Sequence, residues 1–547
     1  MQNLFELVAR HAEHAASEIA VSRWKPGGGF VETSYGQLFR AATKFAAVLA
    51  RFPTEPTAGQ MLPMLVGKSA DSTAAMLAAI ATRRPFAFLN TKIRGPQVAK
   101  VLDATRASLC VIDAPGLVAL RGAWKDHPQI AGTTWLVVGD APTGVYAEAA
   151  EALRKVARVV CVVEADQNGE HGLVRHATPR PDVAGTCLFT SGSTGEPKGV
   201  LISEADLVRR AEAEIAWFGL GKADVLLSIL PFSFDVGLNQ LMTALTVGAE
   251  LVVLDSWMPA DIVATTEKRK VTGISGVPSI WQDMINAGAA FDKEGRHVSL
   301  RYITISGGSL SREYLQRLPA IAAGVQIFKT YGQTEAFRAT SLRPEDYQKK
   351  LDSVGRPFPG TRVYVLREDG APCPAGEIGE VVHTGLGVMM GYLGKDGGVE
   401  PNGKLRANPF FGDNDPSPLA VFTGDMGCLD DNGYLFLKGR RDGMVKVTGN
   451  RVYPQEVAGQ ILTVPGVRDA VVVGMPRADG QSVLVAFLAV SCGIELSVGA
   501  LRKALSAKLP PFMIPKEIVI VDQIPRSPSG KPDQRRLVDD YAARSAL

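Results

Sequence analysis

The stretch CLFTSGSTGEPKGV, residues 187–200, decides how the rest of the chain is interpreted. Its first four residues are typical of the end of a buried strand, and the glycines and hydroxyl residues that follow leave little side-chain bulk. Such a turn lets backbone N–H groups converge on an anion, while hydroxyls add donors and a lysine adds positive charge. The common P-loop needs Gly-Lys followed by Ser or Thr, whereas Lys198 is followed by Gly199. The stretch therefore predicts a phosphate-holding loop of another kind, formed by Thr190, Ser191, Gly192, Ser193, Thr194, Gly195 and Lys198.

Length and composition set the broad class. A chain of 547 residues should form more than one domain, since single cores stop growing near roughly 250–300 residues. The 59 basic and 56 acidic residues leave a net charge of only +3, which argues against a nucleic-acid partner. Six scattered cysteines without a C-x-x-C pair predict neither a metal site nor a disulfide framework. With no signal-peptide pattern and no long apolar run, we expect a cytoplasmic protein without a membrane span.

The order of apolar segments predicts the architecture of the larger part of the chain. Helical spacing covers residues 4–14 and 35–49, and a strand at 61–67 precedes a small-residue helix at 72–81. A capping-box sequence at 203–206 predicts a helix to about residue 217. Strands and helices then alternate, which predicts an α/β fold with mostly parallel, doubly wound sheets and ligands beyond the carboxyl ends of the strands. The predicted strands are 225–230, 250–255, 271–277, 301–307 and 326–332, and the helices are 238–247, 260–269, 279–287 and 312–318.

Beyond residue 353 the sequence changes character. Short β segments with Gly and Pro turns predict a small β subdomain, and the interval 400–418 reads as loop-rich. Two helices, near 454–464 and 498–509, and three strands, at 470–475, 483–490 and 517–522, then predict a small, mobile α+β domain. We therefore expect an N-terminal domain over residues 1–440 and a C-terminal domain over residues 441–547, with no internal repeat.

The order Thr-Ser-Gly-Ser-Thr-Gly-x-Pro-Lys-Gly resembles the signature loop of the adenylate-forming superfamily. That superfamily contains acyl-CoA synthetases, adenylation domains of nonribosomal peptide synthesis, and luciferases. A Gly-Ser stretch alone is more often a flexible linker, but ten residues in this order after an apolar run are much more specific. Five motifs in the family's order extend the resemblance over nearly the whole chain, and they imply ATP and Mg2+ as cofactors. The Arg83-Arg84-Pro85 turn departs from the small Gly-Ala turn that the family often has there.

The resemblance implies a nucleotide site at two neighbouring strand ends. Adenine would lie between the Gly307-Gly308 backbone and Tyr331, whose alternative role is core packing. Glu335 matches the acidic residue that helps to hold Mg2+, a role suited to a hard oxygen ligand. The motif that carries both residues also includes Gly332 and Thr334.

Two further matches concern the ribose and the α-phosphate. Asp425, in Phe-Thr-Gly-Asp, matches the carboxylate that accepts both ribose hydroxyls, although an Asp after a Gly turn is more often a cap. Arg440 matches the family's arginine near the ribose and α-phosphate, and Asp442 falls on its hinge position.

Lys531, in a Pro-Ser-Gly loop, matches the family's catalytic lysine, and the resemblance implies that Thr190 and Glu335 act beside it. Attack of a carboxylate on the α-phosphorus of ATP brings two anions together, and a mobile ammonium offsets that charge. The family uses a second, rotated domain arrangement for thioester formation, in which Lys531 is withdrawn and residues 446–449 face the thiol tunnel. Pro532 stands where a branched apolar residue is usual.

The segment LPFSFDVGLNQL, residues 230–241, bears on the substrate, with Phe234, Asp235 and Ser306 as the candidate contacts. In amino-acid-activating members, an Asp after an aromatic residue here holds the substrate's amino group, and a buried carboxylate does need a cationic partner. The alternative is that Asp235 N-caps a helix beginning near Gly237. Gly237 replaces a frequent Ser, which leaves open a β-amino acid or an acid with no amine. Arg338 would reach a polar substrate group or be exposed.

Only 16 residues follow Lys531, so we expect the thiol acceptor in trans, as CoA or as an acyl or peptidyl carrier protein. The leading hypothesis is an enzyme that forms an acyl-AMP from a small carboxylic acid, an amino acid among the candidates, and passes the acyl group to pantetheine. The alternative enzyme is an acyl-CoA synthetase for a fatty or aryl acid. The non-enzymatic alternative is a relative that only binds acyl-AMP or ATP.

Overall fold

A computed structural model of the chain describes residues 2–545 apart from 26–28, 53–60, 140–142, 163–177, 192–196, 292–298, 396, 401–402, 413–414, 442, 444, 448–449, 477–481, 492, 495, 507 and 528–529. The described strands are β1 (Ile19–Lys25), β2 (Gly29–Ser34), β3 (Leu62–Leu65), β4 (Phe86–Phe88), β5 (Leu109–Ile112), β6 (Thr134–Val137), β7 (Val159–Cys161), β8 (Ala184–Ser191), β9 (Pro197–Ser203), β10 (Val225–Ser228), β11 (Glu250–Val253), β12 (Gly273–Gly276), β13 (Tyr302–Ile305), β14 (Gln326–Gln333), β15 (Phe337–Leu342), β16 (Arg356–Pro357), β17 (Thr361–Leu366), β18 (Gly379–Gly385), β19 (Gly391–Leu393), β20 (Val399–Glu400), β21 (Leu405–Ala407), β22 (Leu419–Leu429), β23 (Leu435–Arg440), β24 (Val445–Val447), β25 (Asn450–Val452), β26 (Val467–Pro476), β27 (Ser482–Val490) and β28 (Glu517–Val521).

The described helices are α1 (Leu4–His14), α2 (Tyr35–Ala50), α3 (Ala70–Ala81), α4 (Gly95–Thr105), α5 (Ala114–Ala119), α6 (Pro128–Gly132), α7 (Val145–Arg154), α8 (Glu204–Phe218), α9 (Asp235–Val247), α10 (Pro259–Arg269), α11 (Pro278–Asn286), α12 (Arg312–Ile321), α13 (Pro344–Tyr347), α14 (Pro454–Ile461), α15 (Val498–Ser506) and α16 (Gln534–Ser545). Their bounds confirm the predicted helices of the larger part of the chain to within a few residues. None of the described helices is both long and apolar enough to cross a lipid bilayer.

The first large sheet confirms the predicted α/β fold. Its strand order is β16-β15-β14-β13-β12-β10-β11-β1-β2, and the pairs from β14 to β1 are parallel while the edge strands are antiparallel. Because parallel strands end at the same edge, the residues that follow β10, β12, β13 and β14 are brought together there.

The second large sheet has the order β20-β19-β9-β8-β4-β3-β5-β6-β7, and its pairs from β8 to β7 are parallel. The predicted phosphate loop joins β8 to β9, which pair antiparallel. Strand β9, in which Val200, Leu201 and Ile202 are buried, was not predicted from the sequence. Helix α8 then begins after Ser203, whose Oγ accepts a hydrogen bond from the Asp206 N–H at 3.1 Å.

The rest of the chain forms a β subdomain and a small α+β unit. Strands β17, β18, β22 and β21 form a sheet to which β23 adds through β22. In the C-terminal part β26, β27 and β28 form a three-stranded sheet, while β24 and β25 form a hairpin. The interval 400–418, which we expected to be loop-rich, also contains β21. Among the described residues, the hydrophobic clusters of the C-terminal part contain no residue before Val445.

Candidate functional site

The carboxyl edge of the first sheet carries the predicted adenine and acyl residues. Gly307 has φ +78, and a Cβ placed on it would lie 3.1 Å from Cζ of Phe234. Gly308 faces Pro278, with 3.3 Å between a built Cβ and Cγ of the proline. Ser306 is buried, and its Oγ lies 2.7 Å from Oγ1 of Thr330. The two glycines therefore let the backbone lie close to its neighbours, where a side chain would be tightly packed and where Gly307 also has a positive φ.

Asp425 is the centre of a hydrogen-bonded cluster that joins β14 to the β subdomain. Its Oδ2 accepts hydrogen bonds from the Tyr331 hydroxyl and from Nε2 of Gln333, each at 2.6 Å. Its Oδ1 accepts one from Nη1 of Arg440 at 3.4 Å, because Asp425 and Arg440 pair across β22 and β23. A carboxylate has about four acceptor positions, so three donors fix its orientation without filling it. Burial and the neighbouring Asp425 raise the pKa of Tyr331, which keeps the phenol a donor.

Tyr331 also packs among apolar side chains of a buried cluster, including Ala339 and Val354. The next residue, Gly332, is confined by its neighbours, since a Cβ there would lie 1.6 Å from the Phe337 carbonyl oxygen. Thr334 lies partly buried in the turn between β14 and β15. Packing alone therefore explains why Tyr331 and Gly332 occupy these positions. Their contact with adenine stays a prediction.

Glu335, the predicted Mg2+ ligand, forms an ion pair that sequence analysis did not anticipate. Oε1 of Glu335 accepts hydrogen bonds from Nζ of Lys404 and from the Tyr392 hydroxyl, each at 2.7 Å. Burial acts to raise the pKa of Glu335, but Lys404 and Tyr392 outweigh it, and the pKa is lowered. The ionised carboxylate fits a hard cation such as Mg2+, which usually binds one or two carboxylates together with substrate phosphates.

The two ends of the phosphate loop lie on paired strands. Thr190 and Lys198 face each other in the β8–β9 pair, and Oγ1 of Thr190 donates a hydrogen bond to the Lys198 carbonyl at 3.4 Å. The Lys198 side chain is exposed. Ser191 ends β8, whereas Gly192, Ser193, Thr194 and Gly195 lie outside the described residues, as do Asp442 and residues 448–449.

Asp235 is the first residue of α9, and Phe234 is its N-cap. The alternative that Asp235 caps a helix beginning near Gly237 is therefore wrong in detail, although Oδ1 of Asp235 accepts a hydrogen bond from the Val236 N–H at 2.8 Å. Among the described residues, no other donor forms a hydrogen bond to this carboxylate. Burial raises the pKa of Asp235, while Lys531 and Arg338 act in the opposite direction.

Gly237 has a packing reason to be glycine. A Cβ on this residue would lie 2.2 Å from the Pro231 carbonyl oxygen, so the backbone of α9 leaves no room for the Ser found in many amino-acid activators. Backbone packing therefore accounts for Gly237 whether or not the substrate has an amine.

Arg338 is buried, so the alternative that it is exposed is wrong. Its Nε lies 2.5 Å from Oε1 of Glu214 in an ion pair between β15 and α8. Nη1 of Arg338 has no hydrogen-bond partner among the described residues. The interior between β15 and α8 therefore contains a guanidinium whose Nη1 donates no hydrogen bond to another described residue.

Lys531 reaches the site from the C-terminal part. It is exposed, and its carbonyl accepts a hydrogen bond from the Ser527 N–H at 2.7 Å. Its positive charge opposes the burial that raises the pKa of Asp235. Gly530, the residue before Lys531, contacts Val277 just beyond β12, so the structure places the Lys531 loop at the carboxyl edge of the first sheet.

Sequence analysis did not anticipate the side chains that hold the predicted site residues in place. Tyr392 and Lys404 hold Glu335, and Gln333 holds Asp425. Lys404 lies in the interval read as loop-rich, where nothing in the local sequence distinguishes it. Gln333 lies inside the motif that carries Tyr331 and Glu335, so its position in the sequence could have indicated a role in the site.

Comparison with known proteins agrees with this geometry. Residues 8–393 match the family model described as AMP-binding enzyme, and residues 456–531 match the AMP-binding enzyme C-terminal domain. The chain belongs to the AMP-binding enzyme family, the adenylate-forming superfamily that its motifs indicate.

Relatives of two kinds are similar to the chain. It is 31% identical to bacitracin synthase 3 of Bacillus licheniformis over 372 residues, 66% of this chain and 6% of that one. It spans between 4% and 12% of the length of the other peptide synthetase relatives. It is 30% identical to sulfoacetate–CoA ligase of Cupriavidus necator over 66% of this chain and 68% of the ligase. Its fold matches o-succinylbenzoate-CoA synthetase of Bacillus subtilis, solved with an acyl-adenylate, with a TM-score of 0.76, 22% identity and 98% coverage of both chains.

Proposed function

We propose that the protein is an ATP- and Mg2+-dependent acid–thiol ligase that works in the cytoplasm. A carboxylate oxygen of the substrate attacks the α-phosphorus of ATP, so that an O–P bond forms and the bond to pyrophosphate breaks. A pantetheine thiolate then attacks the acyl carbon, and AMP leaves. The observation that carries this proposal is the position of the loop that holds Lys531. Gly530, the residue before it, contacts Val277 just beyond β12, at the same edge of the first sheet. Glu335 and Asp425 lie around the end of the neighbouring strand β14.

The residues present fit these steps. Asp425, oriented by its three donors, would accept the ribose hydroxyls, and Arg440 and Lys531 would offset the charge that gathers as carboxylate meets phosphate. Glu335 would help to hold Mg2+, which neutralises phosphate charge when bound. Thr190, Lys198 and the loop between them would bind the phosphates that leave.

The acid and the acceptor each have two candidates. Asp235, with a carboxylate that takes a single hydrogen bond among the described residues, supports an amine-bearing acid. The sulfoacetate–CoA ligase of comparable length supports the alternative, an acyl-CoA synthetase for an amine-free acid with CoA as the acceptor. The peptide synthetase relatives support a carrier protein instead.

The test is ATP–pyrophosphate exchange across α-amino, β-amino, aryl, fatty and sulfonated acids, with wild type beside Lys531→Ala and Asp235→Asn. Asp261, an acid in the first turn of α10, supplies the control Asp261→Asn. We expect Lys531→Ala to lose most of the exchange, as loss of a charge-stabilising donor commonly costs about 100- to 1,000-fold. If Asp235→Asn loses exchange with amino acids alone, Asp235 is an amine anchor.

If an amine-free acid supports exchange equally in wild type and Asp235→Asn, the protein is an acyl-CoA synthetase. If no acid supports exchange in wild type, the proposal is contradicted in favour of binding without turnover.

A further inference from the structure

The loop that carries Lys531 is seated on helix α11 of the N-terminal part. Gly530 is buried with φ +81, and a Cβ on it would lie 2.8 Å from Oγ of Ser279 and 3.2 Å from Cγ2 of Val277. Ser279 is in the first turn of α11, and Val277 is its N-cap. The backbone immediately before Lys531 therefore touches the other part of the molecule with no side chain between them.

One guanidinium links this loop to both parts of the chain. Nη1 of Arg526 donates a hydrogen bond to the Gly530 carbonyl at 3.0 Å, and Nη2 donates to Oε1 of Gln282 in α11, also at 3.0 Å. Nη2 also forms an ion pair with Asp469 in β26. The planar guanidinium can hold several acceptors in a fixed geometry, which an ammonium cannot.

The charges around Arg526 come from both sides of the contact. Asp469 lies on β26, Asp283 lies on α11, and burial raises the pKa of each carboxyl. Arg526 and Arg468 act in the opposite direction on both groups. Arg526 thus pairs directly with Asp469, and its positive charge also favours the ionised form of the more exposed Asp283.

We propose that Arg526 is a positioning residue that seats the Lys531 loop on α11 and so selects the domain arrangement for acyl-AMP formation. The inference rests on the proposed function. Fixing the Gly530 carbonyl fixes the peptide from which Lys531 extends, and the Gln282 contact breaks if the C-terminal part rotates for thioester formation. Arg526 therefore serves the first half-reaction and not the second.

The test uses full-length variants and separates the half-reactions. In Gln282→Leu the Asp469 ion pair stays intact, and in Arg526→Met/Asp469→Asn both charges are removed so that no buried acid is left unpaired. For each we expect pyrophosphate exchange to fall about 10- to 100-fold, as expected for lost hydrogen bonds to a charged group. Transfer of the acyl group from supplied acyl-AMP to a pantetheine thiol should stay at the wild-type rate. Arg502→Met is the matched control, since Arg502 is in the same domain and donates to the Lys516 carbonyl.

Hydrogen–deuterium exchange over residues 278–286 supplies a readout that does not depend on turnover. We expect this helix to exchange faster in Arg526→Met/Asp469→Asn than in wild type, because the variant's changes lie outside α11 and act on it only through the contact. Equal loss of both half-reactions, or unchanged pyrophosphate exchange together with unchanged protection of α11, would overturn the inference. If wild type shows no pyrophosphate exchange with any acid, the proposed function is overturned. The hydrogen–deuterium exchange of α11 would still decide whether Arg526 seats the loop.

Discussion

Single side chains in the proposed nucleotide site are held by partners that give each a defined geometry. Tyr331 illustrates this, because its hydroxyl reaches Asp425 at 2.6 Å while its ring packs in a buried cluster. The residue matched to a base contact in the family thus also orients the carboxylate matched to the ribose. One side chain can therefore couple the two halves of a nucleotide site.

Tyr331→Phe removes only that hydroxyl. We expect the KM for ATP in pyrophosphate exchange to rise about tenfold, since a hydrogen bond to a charged group is lost while the ring stays. Tyr364→Phe is the matched control, because Tyr364 donates to Asp415 at 3.1 Å in the β subdomain. An equal rise in KM for both variants would mean that general destabilisation, and not the Asp425 geometry, is responsible.

His383 predicts part of the pH dependence of stability. It is fully buried in β18, its Nε2 lies 2.9 Å from the Leu386 carbonyl oxygen, and its Nδ1 has no partner among the described residues. Burial lowers its pKa from 6.5 to about 4. Between those values the unfolded chain binds a proton that the folded chain does not. The free energy of unfolding therefore falls as pH drops through this window, by roughly 3 kcal/mol from this group.

Urea unfolding of wild type and His383→Gln at several pH values between 7 and 4 measures this contribution. We expect the variant to show a flatter dependence, and the exposed His14→Gln to keep the wild-type slope. Parallel curves for wild type and His383→Gln would contradict the assignment.

At the scale of elements, the local sequence predicted the helices and strands that have a strong hydrophobic periodicity. The alternation from β10 to α12 was placed within a few residues because apolar strands and amphipathic helices differ in period. Strand β9 was missed because its short apolar run, residues 200–202, lies between a Gly-rich loop and the N-cap of α8. Helix α16 has little apolar content and gave no comparable signal.

Lys68 shows why contacts between elements escape sequence analysis. Its Nζ donates hydrogen bonds to the carbonyls of Ser228, Ile229 and Leu254 at 2.7–2.9 Å, where β10 and β11 end. A buried ammonium is costly unless its donors are used, and here all three are. The lysine lies about 160 residues before the first of these carbonyls, so no local pattern reveals it. It joins the loop after β3 in the second sheet to the carboxyl edge of the first.

At the scale of the whole molecule, the boundary between two domains near residue 440 stays a prediction, and truncation of the chain tests it. Among the described residues, the hydrophobic clusters before this point end at Leu437, and those after it begin at Val445. The contacts across the boundary that place the Lys531 loop include a polar one, the hydrogen bond of Arg526 to Gln282. Interfaces of this kind permit relative domain motion.

We therefore expect a chain ending at residue 440 to fold by itself. Calorimetry should show its main transition close to that of the full chain, which should have a further, smaller transition from the C-terminal part. Because Lys531 is absent, pyrophosphate exchange of the truncated chain should fall at least to the level of Lys531→Ala, while nucleotide binding persists through Asp425 and Tyr331. A truncated chain that unfolds without a cooperative transition would show instead that the C-terminal part completes the core, and that Lys531 is carried by an integral layer of the fold and not by a separate domain.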